Sequence, residues 1–175
     1  LSTSSLTSIG TSAFQNCGFI TLNWWPLNTL AISNDTFKSC SALTNILGLS
    51  NVKSIGQEAF DSCTNLSIIT ISNTVTSIGI SAFSRCGFKI LNWWPRSINL
   101  FRDSTFKFNS NLTSIIIPNL VNTIDTLAFD NCTALTNISL PIYSHVNLNL
   151  DSFSNTLIKF GMTLDRNSTS GFKIK

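Results

Sequence analysis

Apolar and polar positions recur along this chain with a period of 23 residues. Phe14, Phe37, Phe60, Phe83, Phe106 and Phe129 hold that spacing without a gap. Cys17, Cys40, Cys63, Cys86 and Cys132 follow three residues behind, and Asn109 stands in the missing place. Ile9, Ile32, Ile55, Ile78, Phe101 and Ile124 make a third column, and Pro26, Pro95, Pro118 and Pro141 share a fourth. A fixed period of this length means one supersecondary unit built many times over.

The clearest unit runs from Leu66 to Cys86. Leu66, Ile69 and Ile71 have the spacing of a short strand whose alternate side chains face inward. Ser72-Asn73-Thr74 predicts a turn, and the prolines of sister units sit there, where a missing N–H costs nothing. Val75 and Ile78 predict a second, shorter inward-facing stretch. Gly79, like Gly10 and Gly56, is expected to supply a positive φ at the corner. Ser81-Ala82-Phe83 suits one helical turn capped by the serine, with Ala82, Phe83 and Cys86 pointing inward. Such a unit cannot bury its own apolar face, but stacked copies can, each column packing on itself at the strand spacing of roughly 4.8 Å. The expected fold is a solenoid, mostly β, with a parallel sheet on one face, short second strands and single helical turns. Residues 1–140 give six regular rungs, and 141–175 give a degenerate last repeat and C-terminal cap, where the register slips by one at Ser152-Phe153.

A longer period overlies the first. TSIGTSAFQNCGFITLNWW (7–25) returns as TSIGISAFSRCGFKILNWW (76–94), 69 positions later, so a block of three units was duplicated. These two units shorten the link from cysteine to strand and add one residue before proline. Carried through the strand, that parity turns Phe19, Leu22 and Trp24 inward, with Phe88, Leu91 and Trp93. Trp25 and Trp94 then point outward, three rungs or about 14 Å apart. Trp24, Trp25, Trp93 and Trp94 are therefore the candidate ligand-binding residues, with the outward pair as anchors. The competing reading is that the indoles fill a wide part of the core.

Composition narrows the function. Hydrophobic residues make up 43% and charged residues only 11%, with 26 Ser, 20 Thr and 20 Asn. A chain this apolar collapses, so disorder is excluded. Lys and Arg number 11 against 8 Asp and Glu, a net charge of +3, and form no cluster that would grip nucleic acid. No stretch approaches the ~18 apolar residues of a membrane span. Leu1 reads as a cut inside a longer protein. The odd cysteine count, at a spacing that leaves Cβ atoms too far apart for a disulfide, predicts a column of buried thiols. No metal site is expected, since CxxC and histidine pairs are absent. The one histidine, His145, has no recurring carboxylate partner, and no cofactor or catalytic site is expected. Asp61 and Asp130 read as a solvated turn.

LxxIxI-P-xxVxxIGxxAFxxCxx, well represented by LTSIIIPNLVNTIDTLAFDNC (112–132), resembles the leucine-rich repeat of the BspA-like surface-protein family. The resemblance covers residues 1–140. It implies a leucine-rich-repeat solenoid and a non-catalytic binding module, engaged in cell-surface adhesion or recognition of a host or partner protein or a glycan. The alternative is a structural scaffold built into a larger assembly, inside or outside the cell. An uncovered first rung would favour end-to-end self-association. Of six Asn-x-Ser/Thr sequons, Asn65 and Asn111 share a repeat position between turn and strand and are the candidate glycosylation sites.

Overall fold

The computed structural model describes residues 5–92, 94–139 and 146–158. The strands are very short: β1 (Thr21–Leu22), β2 (Ala31–Ile32), β3 (Asn45–Ile46), β4 (Ser54–Ile55), β5 (Ser77–Ile78), β6 (Ile90–Leu91), β7 (Leu100–Phe101), β8 (Ser114–Ile116), β9 (Thr123–Ile124), β10 (Asn137–Ser139) and β11 (Asn147–Leu148). First strands pair in the orders β1-β3 and β6-β8-β10, and second strands in the orders β2-β4-β5 and β7-β9-β11. All of these pairings are parallel. Like residues sit on like: Leu22 opposite Ile46, Leu91 opposite Ile115, and Ile32 on Ile55 on Ile78. The first-strand ladder is interrupted at the third coil, whose Leu66, Ile69 and Ile71 nevertheless face inward.

The phenylalanine column is the spine of the molecule. Ring centroids of Phe14, Phe37, Phe60, Phe83, Phe106, Phe129 and Phe153 follow one another at 5.1 to 5.9 Å, near parallel from coil to coil. Phe153 joins the stack despite the one-residue slip, because a 3-10 turn (Leu150–Phe153) takes up the extra residue. A buried aromatic ring contributes about 1.5–3 kcal/mol by area alone, so the spine is a large share of the core. The rest of the cap expected over 141–175, including His145, lies outside the described residues.

The turn that carries each phenylalanine is not helical. Asp35, Phe37 and Ser39 donate their N–H groups to the next coil, at Gln57, Ala59 and Asp61, over 2.8–2.9 Å. Thr36, Lys38 and Cys40 donate within the coil, each three residues back. This alternation needs two left-handed residues per coil. Ser12, Asp35, Glu58, Ser81, Ser104 and Leu127 supply one at φ 53–58°, and Asn16, Ser39, Ser62, Arg85, Phe108 and Asn131 the other at φ 54–63°. Ser81 is thus a left-handed corner and caps no helix.

The column glycines serve a different purpose from the one expected. Neither Gly56 nor Gly79 has a positive φ. A Cβ on Gly79 would lie 2.4 Å from the Gln57 nitrogen, and one on Gly56 2.6 Å from that of Asn34. Their missing side chain lets consecutive corners close on each other.

The cysteines are free thiols. Cys40, Cys63, Cys86 and Cys132 are buried, and each donates to a phenylalanine carbonyl of the preceding coil, at Phe14, Phe37, Phe60 and Phe106, over 2.9–3.2 Å. Asp61 and Asp130 are also buried, contrary to the solvated turn expected. Arg85 reaches Asp61 at 3.0 Å, and Lys107 reaches Asp130 at 3.2 Å, so each pair links adjacent coils.

Candidate functional site

The first strands present one face outward. Along it, threonine hydroxyls cover the ladder: Thr44 Oγ1 donates to the Ile20 carbonyl at 2.9 Å and Thr113 Oγ1 to that of Lys89 at 3.0 Å. Between these neutral groups stand aliphatic side chains that face solvent. Ile20 is 67% exposed and Ile68 60%, with Ile90, Ile116 and Leu47 also open. Period-2 alternation around Ile69 and Leu91 places Ile68 and Ile90 there, whereas Ile20, two residues before Leu22, faces out against that alternation.

The tryptophans depart from the expected parity. Trp25 is 5% exposed, its Nε1 donating to the Thr29 carbonyl at 2.9 Å and its ring 5.8 Å from Phe37. Trp24 is the exposed one, at 50%. The reason is the length of the strand. Alternation holds only through Thr21–Leu22; beyond it the added residue is absorbed outside the ladder, so Asn23 and Trp24 both face out and Trp25 turns in. Trp94 follows Trp25 inward but is half-buried, with ring contacts to Phe101 at 5.6 Å and Phe106 at 4.9 Å. Trp93 lies outside the described residues. The duplicated motif therefore does not form an outward pair of Trp25 and Trp94.

The two copies differ in how closely the next coil's backbone approaches the motif. In the second coil Gly48, left-handed at φ 86°, lets the chain close on the backbone of the first: a Cβ there would lie 2.8 Å from the Trp25 backbone nitrogen. A 3-10 turn, Leu49–Asn51, follows. Ile117 holds the corresponding place 69 residues on, and a β-branched residue cannot adopt that conformation. The fifth coil runs straight on instead. It leaves a groove of about 540 Å³, lined by Asn92, Trp94 and Arg96 of the fourth coil and by Ile116, Pro118 and Leu120 of the fifth.

The sequons Asn65 and Asn111 are both exposed. Among the described residues no group of three or more His, Cys, Asp and Glu side chains is placed to hold a metal ion. No helix among them is long and apolar enough to cross a membrane.

Comparison with known proteins agrees with this architecture. Residues 2–86 and 30–159 match the family described as BspA type leucine-rich repeat region, in 6 copies. A leucine-rich repeat protein from Bacteroides ovatus is similar in structure, at 28% identity and a TM-score of 0.67 over 88% of this chain and 46% of that one. A leucine-rich repeat protein of T. pallidum is 20% identical, with a TM-score of 0.62 over 75% of this chain and 73% of that one. One from Eubacterium ventriosum is 19% identical, with a TM-score of 0.66 over 87% of this chain and 47% of that one. The chain thus spans less than half the length of the Bacteroides relative. Among curated proteins no sequence matches it. Leucine-rich repeat proteins of this kind are generally binding or scaffold modules. With its family pattern running through most of its length, the chain belongs to the BspA-type leucine-rich repeat family.

Proposed function

We propose that the chain is a non-catalytic recognition module which uses the outward face of its first strands, at a cell surface, to hold a protein or glycan partner. The observation that carries this reading is the set of exposed aliphatic side chains on that face, Ile20, Ile68, Ile90 and Ile116, held among neutral hydroxyls and amides on a stacked framework. Large apolar side chains held open on a rigid face favour a partner that covers them. Trp24 extends the same exposed surface at the first coil.

The test is binding to arrays of extracellular-matrix proteins and glycans, for the wild type and for an Ile68→Asp/Ile90→Asp variant. Both changes fall on solvent-facing side chains, so the melting temperature should hold. A partner bound by the wild type and lost by at least about tenfold in the variant supports the reading. Unchanged binding, or no partner for the wild type, overturns it. Occupied glycans at Asn65 or Asn111 in native material would exclude the rival reading of an intracellular scaffold.

A further inference from the structure

Charge is segregated around each coil. Over residues 18–32, 41–55, 64–78, 87–101 and 110–124, which carry the first strand, the turn and the second strand, the only charged side chains are Lys53, Lys89 and Arg96. Every carboxylate among the described residues (Asp35, Glu58, Asp61, Asp103, Asp125, Asp130 and Asp151) lies in the corner or the phenylalanine turn that follows. There Lys38, Arg85 and Lys107 pair with acids within or across coils. The strand side therefore carries only positive charge, and two of its three cations stand on the fourth coil, which forms one wall of the groove beside Trp94.

Arg96 is exposed at the mouth of that groove, and its guanidinium makes no ion pair among the described residues. Its backbone N–H is held by Asn73 Oδ1 at 3.0 Å, which anchors the residue without using its charge. Opposite it, Ile116 and Leu120 are aliphatic and open to solvent. The groove thus offers a guanidinium, an amide at Asn92 and an apolar wall within one concavity. A guanidinium with no internal carboxylate is suited to a carboxylate from outside. The apolar wall is suited to an aliphatic or aromatic side chain beside it. A sugar ring fits less well, because the Trp94 ring already takes edge and tilted contacts from Phe83, Phe101 and Phe106 and the remaining lining is aliphatic.

We infer that this groove binds an acidic peptide segment, with an Asp or Glu side chain on Arg96 and a neighbouring apolar side chain against Ile116 and Leu120. The inference rests on the recognition role proposed above and names its partner chemistry at one place on the coil stack. The absence of carboxylates on the strand side would steer such a segment toward the groove and repel none of it.

Phage-displayed random peptides panned on the wild type and on Arg96→Glu test this. The wild-type pool is expected to be enriched in Asp or Glu next to an apolar residue, and the Arg96→Glu pool to lose that enrichment. A synthetic peptide from the wild-type pool should bind about tenfold more weakly to Arg96→Gln, should weaken with added salt, and should bind Lys53→Gln within about twofold of the wild type. An equal melting temperature shows that these exposed changes leave the fold intact. A pool without acidic enrichment, a pool indifferent to Arg96, or Arg96-dependent binding of carboxylated glycans in place of peptides overturns the inference. If array binding still depends on Ile68 and Ile90 in that event, the strand-face reading stands and the groove assignment alone has failed.

Discussion

Asn109 Nδ2 donates to the Phe83 carbonyl at 2.9 Å, in the place where four other coils use a cysteine thiol. The amide also reaches the Phe106 carbonyl at 2.7 Å, but its own Oδ1 is buried and meets no donor among the described residues. A buried acceptor left unpaired costs about 1–3 kcal/mol. Asn109→Cys keeps a donor for Phe83 and removes the orphaned oxygen, so it should stabilise the fold by about 1–2 kcal/mol in urea denaturation. A variant less stable than the parent would contradict this account of the column.

Burial also sets the acid-base behaviour of the thiols. It pushes Cys132 up to about 12 from an ordinary 9.0, and raises Cys40, Cys63 and Cys86 as well. The folded state then holds protons that the unfolded chain releases. For Cys132 the stability this represents is fully present below pH 9 and is lost as pH rises toward 12, at about 1.4 kcal/mol per pH unit. Cys132→Ser should make the alkaline fall shallower by one thiol's share, read from denaturation midpoints taken across pH 8 to 11.

The two indoles of the first NWWP motif should behave as opposites. Trp25→Ala empties a core site and should cost about 3–5 kcal/mol. Trp24→Ala should stay within about 0.5 kcal/mol, as exposed substitutions do. In iodide quenching, Trp24→Phe should remove an iodide-accessible part of the wild-type fluorescence, and Trp25→Phe should not. An unchanged quenching curve would place the exposed ring elsewhere.

Close approach at the corners gives a paired test on glycine. Gly79→Ala drives a Cβ into the Gly56–Gln57 backbone and should destabilise by about 3 kcal/mol or more. Gly10→Ala meets nothing within 4 Å and should change stability by less than about 0.5 kcal/mol. Equal losses at both positions would mean that glycine is needed there for its backbone freedom after all.

The residues that repeat were the residues that could be read. Columns of phenylalanine, cysteine and isoleucine exist because identical coils must bury identical faces, so their inward direction follows from the period alone. The errors came where a rule for long elements met short ones. Strict alternation predicted Trp25 outward, yet the ladder ends at Leu22, and the extra residue has no strand to shift. The phenylalanine turn looked helical because its left-handed corners are held by Ser81, Glu58 or Leu127, residue types that carry no compositional mark for that conformation. The groove comes from a difference between copies, Gly48 against Ile117, which the repeat itself does not encode.

The central claim, that like side chains stack coil on coil, is tested most directly by nuclear Overhauser contacts between assigned phenylalanine rings. Phe37 and Phe60 are 5.2 Å apart between centroids, and Phe60 and Phe83 5.3 Å. Cross-peaks are expected for each of these neighbouring pairs and none between Phe37 and Phe83, two coils apart. Absence of the Phe37–Phe60 contact, or a direct one between Phe37 and Phe83, would contradict the stacked-coil architecture.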